Sequence, residues 1–358
     1  MEMQRMTVLL LPGQGAQRER MAAALLGRDG AFTEAVEEFL AALPTGAELR
    51  EAWLRPAPNP ALDDALLTQP LLFAVGYGLG RVVSGWGGAE RPLLLGHSVG
   101  ELAAATLAGV MDAAEVAALM ADRAEVLADA PAGGMLGVSA SPDELRPYCD
   151  GTVVVGAVNG PRQTVLAGPE RELAEAGERI AADGFTVRPL RSGYGFHSPS
   201  MASAAQRQAH ALAGARLRPP TGSLVSSRTA RPVTAAEAVR PDFWADQLQC
   251  PVLYWPALRA LLDTYGEQPG LVLLDASPDR SLSAPARRHP AVRGGQSVVV
   301  PLLAQPEGED FGAARAAHGA AVAPRAYAAA AASAPSTWAI SAAGVFSPSS
   351  SSSEMVTG

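Results

Sequence analysis

A chain of 358 residues, 48% of them hydrophobic, is long enough for one large domain with a smaller one inserted or appended, and its core needs no covalent staples. The formal net charge of −8 argues against nucleic-acid binding over a broad face, because nothing would neutralise the phosphates. All 28 basic residues are arginine, which excludes chemistry that needs a lysine, Schiff bases and the P-loop included.

In chain order, Thr7–Leu11 reads as a short buried strand running into the Gly-rich loop "PGQGAQ" at 12–17. That strand is too short for a signal h-region, and no run of about 18 consecutive apolar residues is expected to span a membrane. Two cysteines, Cys149 and Cys250, form no CxxC pair and point to a reducing cytoplasm. A helix is expected over 31–43, and a buried one over 66–84 that begins near Gln69–Pro70, since proline suits a first turn. The run Pro92–Leu95 is strand-like, and two Ala- and Leu-rich helices follow it.

Residues 134–190 change character, with strands at 135–138, 152–158, 163–167 and 185–190 and helices opening at Ser141–Pro142 and Pro169. This βαββαβ order predicts a ferredoxin-like unit inserted in the larger domain. A helix near 204–213 and strands at 270–275 and 296–302 return the chain to the main body. A helix is expected over Phe311–Ala321, and an Ala-, Ser- and Pro-rich tail beyond Ala329 is expected to be disordered.

Within "LLLGHSVGEL" at 93–102, glycines flank a serine between a strand and a helix. Such a turn strains the backbone and exposes the seryl oxygen, as a nucleophile requires. Ser98 followed by Glu101 is equally the pattern of a capping box. Both readings stand on these residues alone. Of the five histidines, His97 adjoins the serine and should point elsewhere, whereas His210, His289 and His318 read as solvated bystanders. His197, in a Gly/Ser/Pro loop beside aromatic residues, suits a site.

Four separated motifs, "PGQGAQ" (12–17), "TQPLL" (68–72), "GHSVGELAAATLAGV" (96–110) and "GFHSPSM" (195–201), together resemble the malonyl-CoA:acyl-carrier-protein transacylase family, which includes the acyltransferase domains of modular polyketide synthases. The resemblance spans about residues 7–305; "AVNGPRQTVLAG" (157–168) is similar to polyketide members, and "DQLQCPVLYW" (246–255) to the segment the family places behind its catalytic histidine. It implies an α/β fold, an α/β hydrolase-like large domain (1–130 and 192–305) with an inserted ferredoxin-like subdomain (131–191), then a helix and linker (306–328) and the tail (329–358).

The resemblance further implies that Ser98 attacks an acyl thioester, that His197 is its base, and that backbone carbonyls, Gln247's among them, orient the histidine. Two N–H groups, of Val99 after the nucleophile and of Gln14 in the first loop, would hold the oxyanion. Arg123 matches the family arginine that pairs with a malonyl carboxylate, a role its fork of donors suits; the other reading is a helix-surface arginine paired with Asp122, Glu125 or Asp129. Gln69, Tyr194 and Phe196 would line the acyl site. Phe196 resembles malonyl-selective members, and Gly195 would leave room for a larger group. Ala124 and "DASPDRSLS" (275–283) depart from the family pattern.

The expected activity is a ping-pong transfer from coenzyme A to the phosphopantetheine thiol of an acyl carrier protein, by a free-standing, cytoplasmic monomer that needs no metal or redox cofactor. Alternatives are a carrier-to-carrier transferase or acyl-carrier thioesterase on the same Ser/His pair, an esterase that would use Asp275 and His289, and a non-catalytic carrier-docking module.

Overall fold

The run MTVLLL has no polar residue after Thr7 and becomes strand β1, Met6–Leu11, at the middle of a six-stranded sheet. The computed structural model describes residues 2–86, 91–303, 311–323, 325–326, 339–340 and 346–347. From one edge to the other the strands are 298–301, 271–275, 6–11, 93–96, 224–226 and 231–232. All are parallel except the last. Parallel sheets are covered on both faces, so their strands are apolar throughout instead of alternating.

Alternate residues of β1 serve two cores. Leu9 and Leu11 face a large cluster with the helices Gly30–Ala42, Ala65–Ser84, Gly100–Leu107 and Ala113–Ala128. Val8 and Leu10 face a second cluster with the helix Tyr254–Tyr265. By length and apolar composition the helix Ala65–Ser84 could cross a membrane, yet 83% of its most apolar stretch lies buried in the fold. It begins one turn before the expected Gln69–Pro70, because the Asp64 side chain accepts from Leu66 N at 2.9 Å and caps it there. Pro70 therefore sits inside the helix.

The inserted unit is a four-stranded antiparallel sheet ordered 154–160, 163–169, 133–138, 187–190, backed by the helix Glu170–Ala182 and a short helical turn at Pro142–Leu145. Its separate apolar core holds Leu136, Leu166, Leu173 and Ile180. Two backbone bonds tie its hairpin to the large domain, Val158 N to Val252 O at 2.8 Å and Val252 N to Gly156 O at 2.9 Å.

The helix Phe311–Val322 packs on the large domain, with Phe311 edge-on to Trp86 at 5.9 Å. His318, expected to be solvated, is instead buried: its Nε2 lies 2.9 Å from Thr7 Oγ1 and its ring against Trp86. The expected tail, 329–358, falls outside the described residues except for the short strands 339–340 and 346–347. Both cysteines are free thiols.

Candidate active site

The strand Leu93–Gly96 turns into the helix Gly100–Leu107 within three residues, and Ser98 at the apex has φ +50°. A Cβ on Gly96 would lie 2.3 Å from the Glu101 nitrogen, and one on Gly100 would lie 2.3 Å from the Leu11 carbonyl oxygen. Only glycine allows the turn to close at these two positions. The capping-box reading of Ser98 and Glu101 fails here. Val99 is the helix N-cap, no side chain caps it, and Ser98 Oγ lies 2.9 Å from His197 Nε2.

His197 also has a left-handed backbone, φ +64°, in the loop that leaves the small sheet. Its Nδ1 lies 3.0 Å from the Cys250 carbonyl and its N–H donates to the Leu248 carbonyl at 2.7 Å. A carbonyl only accepts, so Nδ1 carries the ring proton and Nε2 offers a lone pair to the serine. Burial, then the neighbouring His97, lowers the His197 pKa to about 4, leaving the ring neutral and able to take a proton at neutral pH.

Two backbone carbonyls act on the ring, the expected one of Gln247 and, nearer, that of Cys250. The 3-10 turn Asp246–Leu248 carries the chain onward, so that Cys250 reaches Nδ1 directly, while the Gln247 carbonyl acts on the ring more weakly. The Gln247 side chain donates to Glu101 Oε2 at 2.6 Å, and Ser227 N donates to Glu101 Oε1 at 2.7 Å. Burial raises the Glu101 pKa to about 7. Glu101 thus ties the helix after Ser98 to the loop below the histidine. Its position three residues after the serine is the one signal in the sequence, and there it looks the same as a cap.

His97 turns away from Ser98, its Nε2 2.8 Å from Asn159 Oδ1, although it still lines the same cleft. Asn159 comes from the "AVNG" hairpin. Gln14 and Val99 line the cleft beside Ser98, and among the described residues no protein acceptor takes either backbone N–H. Neighbouring amides are engaged, His97 N with the Leu11 carbonyl and Gly100 N with the His97 carbonyl.

Arg123 is only 5% exposed, and its reading as a helix-surface arginine paired with Asp122, Glu125 or Asp129 does not hold. Nη1 donates to Gln69 Oε1, Nη2 donates to Gln208 Oε1 at 3.1 Å, and Nε has no partner among the described residues. Among the described residues no carboxylate reaches it. Burial alone lowers its pKa, to about 10, so the cation persists. Gln69 Nε2 in turn donates to Gln14 Oε1 at 3.0 Å, linking the arginine to the first loop. No motif points to Gln208.

These groups meet at a cleft of about 860 Å³ between the large domain and the small sheet. Phe196 and Gln69 line it as expected. Tyr194 does not; its ring packs on Phe196 at 5.4 Å, behind the wall. Nor does Gly195 leave room for a larger acyl group, because a Cβ there would meet the Gly168 carbonyl oxygen at 2.8 Å. The esterase arrangement is not assembled. His289 Nε2 lies 2.9 Å from Asp263 Oδ1, and Asp275 accepts from Ser277 and Ser283.

The profile of the acyl transferase domain family matches residues 8–322. The chain is 31% identical over 285 residues to a phenolphthiocerol/phthiocerol polyketide synthase component of Mycobacterium tuberculosis, covering 79% of this chain and 19% of that protein. It is 33% identical over 306 residues to polyketide synthase GfsA of Streptomyces halstedii, covering 81% of this chain and 4% of that one. The chain therefore spans less than a fifth of the length of these relatives. Among solved structures, the acyltransferase domain from the second module of the salinomycin polyketide synthase superposes with a TM-score of 0.75 at 31% identity, over 89% of this chain and 73% of that one. The acyltransferase domain of SpnD gives a TM-score of 0.77 at 28% identity, over 87% and 74%.

Proposed function

This chain belongs to the acyl transferase domain family, and from that premise we propose that it moves a malonyl-type acyl group from coenzyme A to the phosphopantetheine thiol of an acyl carrier protein in polyketide biosynthesis, as a cytoplasmic monomer. The observation that carries the reading is Arg123, a buried guanidinium in the cleft of Ser98 and His197 with two amide partners and no carboxylate among the described residues. A buried charge without an opposite charge is costly, and a substrate carboxylate would offset that cost through charge-assisted bonds. The SpnD domain, 28% identical, is described in complex with 2-(pent-4-yn-1-yl)malonyl, a carboxylated acyl group, which supports the same reading.

In the first half-reaction Ser98 Oγ attacks the thioester carbon while His197 Nε2 takes the hydroxyl proton. The negative charge that develops on the carbonyl oxygen is met by the N–H groups of Val99 and Gln14. The C–S bond then breaks, and the departing thiolate receives the proton from His197. The carrier's thiol reverses these steps, giving its proton to His197 and taking the acyl group from Ser98. The Cys250 carbonyl stands where a triad would place a carboxylate, and it fixes the tautomer without adding charge. No step calls for a metal or redox group.

The test is intact mass after incubation with malonyl-, substituted malonyl- and neutral acyl-CoAs and with acylated carrier protein. A mass gain of one malonyl-type group from the CoA thioester supports the reading. Loading from the carrier alone makes the protein a carrier-to-carrier transferase, and rapid release of free acid makes it a thioesterase.

A further inference from the structure

Gln208 lies on the helix Ala202–Leu212, whose other buried residues are Ala204, Ala205 and Leu212, an apolar face that would ordinarily hold an aliphatic side chain at this position. It is 2% exposed, and among the described residues its Nε2 has no partner. Burying an amide half-satisfied is unfavourable unless its other half does something an aliphatic group cannot. Its Oε1 accepts from Arg123 Nη2 at 3.1 Å, and Gln69 accepts from Nη1 in the same way. Gln208 is not among the residues lining the cleft, so it acts through Arg123 and not on a bound group.

Resting on the reading of the cleft as a site for malonyl-type groups, we propose that Gln208 is a specificity-determining positioning residue: its carboxamide oxygen fixes the Arg123 guanidinium while leaving the charge uncompensated, which reserves the site for acyl groups that carry a free carboxylate. A glutamate of nearly the same shape would accept the same hydrogen bond but neutralise the arginine inside the protein. An incoming carboxylate would then be desolvated against a pair with no net charge. An aliphatic residue would leave the charge and remove one anchor, so that aim suffers and selectivity largely survives.

The experiment compares loading of malonyl-CoA and acetyl-CoA, by intact mass over time, on the wild type, Gln208→Glu and Gln208→Met. Gln208→Glu should lower the malonyl-to-acetyl ratio by roughly a hundredfold while acetyl loading holds within a few-fold. Gln208→Met should lower malonyl loading by about tenfold or less and keep most of the preference. A merely structural role would reduce both substrates together in both variants. A wild type that prefers malonyl, paired with a Gln208→Glu ratio that does not move, overturns this proposal alone; a wild type without preference overturns the reading of the site as well. If Gln208→Glu gives no folded protein, Gln208→Met decides: malonyl loading lowered while acetyl loading holds within a few-fold supports the proposal, and equal loss of both substrates overturns it.

Discussion

The two ends of the cleft are built in different ways. At one end Ser98 and His197 are placed by backbone: both have left-handed φ, +50° and +64°, glycines let the turn close, and the histidine's partner is a main-chain carbonyl. At the other end Arg123 is placed by side chains, Gln69 and Gln208, that reach it from two other helices, 54 and 85 residues away in sequence. Backbone placement tolerates little sequence variation but is indifferent to most side chains around it. Side-chain placement leaves the fold alone and lets a single residue retune the chemistry.

If that contrast holds, damage at the first end should be close to all-or-none. Ser98→Ala should abolish the acyl-enzyme in intact mass and leave the thermal midpoint almost unmoved, since the hydroxyl caps no helix. An adduct that persists in this variant would break the assignment. His197→Ala should slow loading by roughly 10²–10⁴-fold, the usual share of a general base, whereas His289→Ala, whose ring is engaged with Asp263, should change it little.

Damage at the second end should be selective. Arg123→Ala removes the cation at the carboxylate position and should cost malonyl loading roughly a hundredfold or more, from about 3–5 kcal/mol for breaking a buried pair. Acetyl-CoA makes no use of that charge and should load as before or faster. Equal loss of both substrates would return Arg123 to a structural role and erase the contrast.

Smaller effects follow from the two buried titrating groups, and their signs are opposite. His197 has its pKa lowered from 6.5 to about 4, so the fold favours the neutral ring; that stability, and the base itself, are present above 6.5 and lost as pH falls through about 4. Loading should thus stay flat from neutral pH down to about 5 and fall below it, and a midpoint near 6.5 would contradict the burial. Glu101 has its pKa raised from 4.5 to about 7, so the fold favours the protonated acid; that stability is present below 4.5 and lost as pH rises through about 7. Glu101→Gln, a permanently neutral copy, should therefore gain thermal stability relative to the wild type above about 7 and show little difference near 5. The same difference at both pH values would mean that Glu101 does not titrate there.

How much is legible in the sequence follows the same division. "GHSVG", "PGQGAQ" and "GFHS" show Ser98, His197 and the first loop because tight turns demand glycine at fixed offsets. The inserted sheet is legible from the βαββαβ order, and strands of the large sheet from short apolar runs, whereas the large domain's α/β class comes from the resemblance. Arg123 is visible as a residue, but what surrounds it is not. Gln208 arrives from a helix that reads only as Ala-rich, and nothing local marks a residue whose partner is 85 positions away. The nearer of the histidine's two carbonyls is that of Cys250, beyond the expected Gln247, because a 3-10 turn advances the chain in a way no pattern of side chains records. His318 shares the composition of the tail, whereas its burial depends on the distant Trp86 and Thr7.

The bonds joining Gly156 and Val158 to Val252 make the small sheet's hairpin continuous with the segment that carries Cys250. Swinging this hairpin outward would pull on the segment that supports the histidine, so the small sheet's side of the cleft and the placement of His197 are mechanically one piece. Under the proposed function, an acyl-serine formed in that cleft would have two acceptors, the carrier's thiol and water. On that reading, product would depend on which of the two arrives first, and cargo lost to hydrolysis would rise as the acceptor grows scarce.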